Sequence, residues 1–346
     1  MMRFGLGVPT GTEGLMYPVP YASPEQAVQL AVEAERLGFD GVWGNDHVTT
    51  QHYVREEFPE PPRYYDPYLY LAYVAAETTT LHLCTAITVL SFRNPAVLAK
   101  QAATLDQLSG GRFKMGVGIG AYREEAEAIW PGAKLHRGRQ ADEYLEALQV
   151  IFRDRSATYE GEFVNFRDVE SFPRPRQEVL PILSGGNSEG SRIRAAKFCH
   201  GWIPAVLTPA EVTEGLDAIR AIAEANGREL PADFDVAPQL SVSIGKDTQD
   251  AIARFEESQL YAHMRSLSKS TLKDQDTSDF VSRNLIGNGQ QMLEQVHAYA
   301  EAGVTTLSAL LFACNTVEET LDNMAWFSEN VIQPYRREAG GAGDDR

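Results

Sequence analysis

Cysteine is scarce and scattered: Cys84, Cys199 and Cys314 are the whole set, with no CxxC pair and no histidine at ligand spacing. That excludes a disulfide framework, supports no zinc site, and leads us to expect buried free thiols in a reducing cytoplasm and no metal. Basic charge is also in short supply, since 31 Lys and Arg face 48 Asp and Glu and leave a net charge of −17. Such a surface repels phosphate backbones and anionic lipid, so neither nucleic acid nor membrane is expected as a partner. No stretch approaches the ~20 apolar residues of a membrane span, and the start, MMRFGLGVPTG, has no apolar run behind its one Arg. Repeats and low-complexity tracts are missing too. With 43% hydrophobic and 23% charged residues, the expectation is a cytoplasmic globular enzyme acting on a small molecule.

Length does not decide the domain count, because α/β barrels run to 346 residues as one unit. The order of elements is more telling. Arg3 to Pro9 reads as a strand. Ser23-Pro24-Glu25-Gln26 opens a helix, with Ser23 as N-cap, Gln26 closing a capping box and Gly38 as the stop. GFDGVWGNDH, Gly38 to His47, then reads as a buried strand with a polar end, giving a strand–helix–strand unit and hence a parallel sheet. The alternation continues through His82 to Val89, Phe113 to Gly118, Leu180 to Leu183, Gly201 to Ile203, Val236 to Ile244 and Thr306 to Phe312, with helical stretches between. The sum predicts a (β/α)8 TIM barrel with insertions: one domain over 1–335, a hairpin insertion over about 157–172, a lid over about 258–283 and a disordered tail over 336–346.

In such a barrel chemistry sits at the C-terminal ends of the strands. His47 is the leading candidate, because an imidazole titrates near neutral pH and can exchange a proton with a substrate. Asp46 points to the other side if the strand persists, and so fixes the loop more readily than it forms a dyad. The run Gly116 to Gly120 lacks the spacing of a dinucleotide fingerprint, which leaves close backbone packing at Gly118 and Gly120 against a ligand or a neighbouring strand. Ser184-Gly185-Gly186-Asn187-Ser188 presents small residues at a helix N-terminus, which suits a phosphate; the plain alternative is a flexible turn.

Taken together, AERLGFDGVWGNDH (Ala34 to His47), Thr85 to Glu125, GRQADEYLEAL (Gly138 to Leu148) and LPILSGGNSEG (Leu180 to Gly190), followed by Gly201-Trp202, resemble the bacterial luciferase-like oxidoreductases, which bind FMN or coenzyme F420. The resemblance runs over nearly the whole chain and implies a cofactor across the barrel mouth. Its phosphate would lie near Ser184 to Ser188, and its ring beside Thr85, Ala86 and the segment Gly118 to Tyr122. It also implies a non-prolyl cis peptide, which the match puts at Thr85-Ala86, and a substrate or cofactor role for His47. The Asp46-His47 pair looks like the F420-using branch. A departure stands beside it: sugar-phosphate dehydrogenases of that branch have a Glu directly after the glycine run, where this chain has Ala121 and Tyr122. The expected function is therefore F420-dependent hydride transfer with a small organic substrate. The alternatives are a reduced-FMN monooxygenase served by a separate flavin reductase, or a non-catalytic flavin-binding homologue. The family often dimerises, which makes a homodimer the expected assembly.

Overall fold

Short glycine-broken or β-branched runs become strands, and longer stretches with one apolar face become helices. A computed structural model describes residues 1–134, 136–267 and 280–341. Strand β1 (Arg3–Val8) leads to helix α1 (Pro24–Arg36) and strand β2 (Gly41–Gly44). The Ser23 hydroxyl accepts from the Gln26 N–H while the Gln26 side chain accepts from the Ser23 N–H, so two otherwise unpaired donors are satisfied at the start of α1. Ala27, Leu30, Ala31 and Ala34 form its buried face. Next come α2 (His52–Glu57), α3 (Pro67–Glu77), β3 (His82–Thr85), β4 (Thr88–Val89), α4 (Pro95–Leu108), β5 (Phe113–Gly118), α5 (Arg123–Ile129) and α6 (Arg137–Arg153). Strands β6 (Ala157–Glu160) and β7 (Asn165–Val169) form their own antiparallel pair.

The pattern resumes with β8 (Ile182–Gly185), α7 (Glu189–Phe198), β9 (Gly201–Ile203), α8 (Pro209–Ala225), β10 (Asp235–Val236) and β11 (Gln239–Ile244). It ends with α9 (Thr248–Glu256), α10 (Gln259–Leu267), β12 (Leu285–Gly287), α11 (Gly289–Glu301), β13 (Thr306–Phe312), α12 (Val317–Phe327) and α13 (Gln333–Gly341). The main sheet is parallel, in the order β10-β9-β8-β5-β3-β2-β1-β13-β11-β12, with β4 also on β5. Its strands are buried on both faces, as a parallel sheet wrapped by helices requires. The sheet curls: Ala237 N donates to Trp202 O at 2.8 Å, while Thr305 N donates to Val236 O at 3.0 Å, so the segment holding β10 bonds on both sides.

Several boundaries differ from expectation for local reasons. β2 ends at Gly44, not at His47, because Asn45 turns to bond the loop after β1. The run from His82 to Val89 breaks in two, and the non-prolyl cis peptide is Ala86-Ile87, not Thr85-Ala86. The Ala86 N–H still donates to Gly44 O at 2.7 Å, so Thr85-Ala86 belongs to the strand ladder and the chain departs one bond later. Pro238, which has no N–H to give a ladder, separates β10 from β11. The tail expected from 336 is helical to Gly341, where Arg336 bonds Asp40 and Glu338 meets His297; 342–346 lie outside the described residues. Of the expected lid, the first part is α10, and 268–279 lie outside the described residues.

Gly118 and Gly185, on neighbouring strands, make room for one side chain. A Cβ on Gly118 would lie 2.5 Å from Ile87 Cδ1, and one on Gly185 2.5 Å from Ile87 Cγ2. Gly118→Ala is therefore expected to destabilise the fold by about 1–3 kcal/mol through overpacking. Ile87→Val, which removes the clashing Cδ1, should recover part of that loss in urea unfolding.

Candidate functional site

The strand ends are joined before any chemistry is placed on them. Asn45 Oδ1 accepts from Gly11 N and from the Thr10 hydroxyl, both at 2.9 Å, and Asn45 Nδ2 donates to Gly11 O at 2.7 Å. Asp46 follows, 2% exposed, and its carboxylate accepts from Val89 N at 3.0 Å and from both terminal nitrogens of Arg93, which also reaches Asp66. Burial opposes the Arg93 charge, but the hydrogen bonds and field of Asp46 outweigh it and raise the guanidinium's pKa. Asp46 is thus engaged away from His47.

His47 turns the other way. Its Nδ1 lies 2.8 Å from Oε1 of Glu125, a buried carboxylate on α5. Glu125 Oε1 also accepts from Gln51 Nε2 at 2.5 Å, and Oε2 accepts from Val48 N at 3.3 Å. The Tyr64 hydroxyl donates to Gln51 Oε1 at 2.8 Å. Burial, followed by the field of Glu125, raises the Tyr64 pKa and keeps the phenol neutral. A second polar chain runs beside this one: Tyr122 OH is 3.3 Å from Tyr53 OH, itself 3.2 Å from Nδ1 of His263 on α10. The His47 ring lies near those of Tyr64 and Tyr122, at centroid distances of 5.4 and 6.1 Å. Burial, with Tyr53 alongside, raises the Tyr122 pKa.

The other expected site residues divide by what holds them. Thr85 is fully buried, donating to Gly116 O at 2.8 Å and accepting from Thr88, so its hydroxyl is committed to the wall. Ala86 lines a small cavity with Gly7, Thr12, Trp43, Asn45 and Leu311. Gly120, at φ +77°, sits under Val89, and Arg137 donates to its carbonyl at 2.8 Å. The Ser184 hydroxyl donates to Ser191 O at 2.9 Å, Asn187 bonds Ala205 both ways at 2.8 Å, and Ser188 caps α7. Three side chains of the Ser184 to Ser188 loop are therefore spent on holding the turn, and Gly186 takes φ +111°, where glycine is favoured. On α7, Arg192 Nε is buried without a hydrogen-bond partner among the described residues. The described residues contain no group of three or more His, Cys, Asp or Glu able to hold a metal, and no helix long and apolar enough to cross a membrane.

Glu125, Gln51, Tyr64, Tyr53 and His263 were not singled out from the sequence. Glu125 gave no signal, since acidic residues in a first helical turn ordinarily face solvent and complement the helix dipole. His263 lies where hydrophobic periodicity fades.

A curled parallel sheet wrapped by helices, with polar groups gathered beyond its strand ends, defines the α/β class to which the chain belongs. Sequence comparison makes the class specific: the profile of the luciferase-like monooxygenase family matches residues 2–306, and the chain belongs to that family. An uncharacterised protein of Mycobacterium tuberculosis is 34% identical over 273 residues, 74% of this chain and 88% of that protein. An F420-dependent glucose-6-phosphate dehydrogenase of Kineococcus radiotolerans is 27% identical, covering 82% of this chain and 86% of its own length. An FMNH2-dependent dimethylsulfone monooxygenase of Pseudomonas putida is 29% identical, covering 61% and 64%. Among solved structures, a monooxygenase from Streptomyces bottropensis shares the fold with a TM-score of 0.78 at 22% identity, covering 96% of this chain and all of that one. Relatives in this family thus use F420 or FMN.

Burial, helped by His47 nearby, pushes the His263 pKa down to about 3 from its ordinary 6.5. Below the ordinary value the unfolded chain takes up a proton that the folded chain refuses, so His263 contributes stability at neutral pH that is lost as pH falls from 6.5 to about 3. His263→Gln should show a smaller loss of unfolding free energy than the parent between about pH 7 and about pH 4.5 in urea titrations.

Proposed function

We propose that this chain is an oxidoreductase that binds coenzyme F420 at the mouth of a closed (β/α)8 barrel spanning about 1–335 and exchanges a hydride with a small organic substrate. The two-sided bonding of the segment holding β10 supports closure. Bound deazaflavin supplies a ring carbon that accepts or donates hydride. The observation that carries the reading is His47: a largely buried imidazole just past the exit of β2, pinned through Nδ1 to Glu125. Conversion of a hydroxyl to a carbonyl releases a proton as well as a hydride, and His47 is the group that takes it. The unpartnered Arg192 Nε on α7, together with the turn capped by Ser188, supports an anionic group of the cofactor at that edge. Tyr122 and Tyr64, both held neutral, flank the imidazole as hydrogen-bonding walls rather than as charges.

A second reading, a reduced-FMN monooxygenase supplied by a separate reductase, is favoured by the FMNH2-dependent relative and the monooxygenase of the same fold. Titration of the purified protein with each cofactor, followed by assays for hydride transfer and oxygen uptake across a panel of small alcohols and ketones, separates the two. F420 binding with hydride transfer is the expected result. Tight FMN binding with substrate-dependent oxygen uptake would replace the first reading by the second, and binding without turnover would leave a flavin-binding homologue. His47→Ala should lose turnover by on the order of 10²- to 10⁴-fold while still binding cofactor; unchanged turnover would remove His47 from the reaction.

A further inference from the structure

An imidazole has two nitrogens, and a proton acceptor must offer the one without a hydrogen. We propose that Glu125 and Gln51 are positioning residues that fix the tautomer of His47, holding its proton on Nδ1 and leaving the lone pair on Nε2 for the substrate. The use of that lone pair rests on the oxidoreductase reading above; the tautomer does not.

The geometry is a three-way junction. Tyr64 OH donates to Gln51 Oε1 at 2.8 Å, which orients the amide so that its NH2 end faces inward. That end donates to Glu125 Oε1 at 2.5 Å, and His47 Nδ1 approaches the same oxygen at 2.8 Å. The 3.0 Å separation of Gln51 Nε2 and His47 Nδ1 is the third side of this triangle. Both Glu125 oxygens already receive donors, Oε1 from Gln51 and Oε2 from the Val48 N–H at 3.3 Å, so the carboxylate acts as an acceptor throughout. A proton on Nε2 would set two lone pairs face to face across the His47–Glu125 contact; a proton on Nδ1 makes a hydrogen bond there. Among the described residues no hydrogen bond reaches His47 Nε2. In the proposed oxidation of a substrate hydroxyl to a carbonyl, Nε2 would take the hydroxyl proton, giving an imidazolium beside Glu125, and a bound deazaflavin would supply the hydride acceptor.

Removing the carboxylate does more than delete a bond. Gln51, still aimed by Tyr64, becomes the available partner for Nδ1, and it can only donate. The proton must then move to Nε2, and the lone pair is lost from the substrate side. Glu125→Gln differs, because it keeps an oxygen for both donors.

Nitrogen-detected NMR of histidine-labelled protein reads the tautomer directly, with His47 assigned through His47→Ala. The expected result is Nδ1–H in the parent and in Glu125→Gln, and Nε2–H in Glu125→Ala. With F420 and a substrate alcohol, kcat/KM of Glu125→Ala should fall on the order of 10²- to 10⁴-fold with unchanged cofactor Kd, and that of Glu125→Gln should fall less. A parent His47 protonated on Nε2, or a tautomer unmoved in Glu125→Ala, overturns the proposal. If Glu125→Ala does not fold, the parent and Glu125→Gln spectra decide it. Failure of the parent to transfer hydride would count against the function proposed above and leave the tautomer result standing.

Discussion

The ion pair between Asp46 and Arg93 is the constraint on which the candidate-site end of the molecule depends. Asp46 lies just past β2 and Arg93 just past β4, so the pair ties the two strand exits together. Breaking one partner of a buried pair leaves an uncompensated charge and typically costs about 3–5 kcal/mol, which makes the link effectively obligatory. With Asp46 anchored, the next residue is turned away from the wall, and His47 reaches across to α5. The Val89 N–H bond to the same carboxylate fixes the end of β4.

Much of the scaffold was legible in the sequence, because its signals are local. The Ser23 capping box and the strands Phe113–Gly118, Gly201–Ile203 and Thr306–Phe312 stand as their residues imply. Errors fell where a tertiary contact overrides the pattern. Gly38 to His47 reads as one strand, yet Asn45 has better partners in Thr10 and Gly11 than in the ladder. His82 to Val89 reads as another, yet the chain turns at Ala86-Ile87.

The candidate site was legible only in part. His47 could be found because a strand end marks it. Glu125 could not, since nothing local distinguishes it from Glu124, which reaches the His52 backbone at the surface. The direction in which each faces is decided by α5 packing near the turn after β2, a contact between residues far apart in the chain. The five-residue turn from Ser184 was visible as a loop of small residues, but that Ser184, Asn187 and Ser188 hold the loop itself depends on partners brought by β9 and α7.

The fastening of Asn45 to Thr10 and Gly11 has a kinetic meaning. Asn45 meets both neighbours through its own side chain, so the turn that carries His47 is organised by the protein alone. Little conformational freedom then remains to be surrendered at the imidazole, so a reaction of the proposed kind at His47 would carry correspondingly less reorganisation in its barrier.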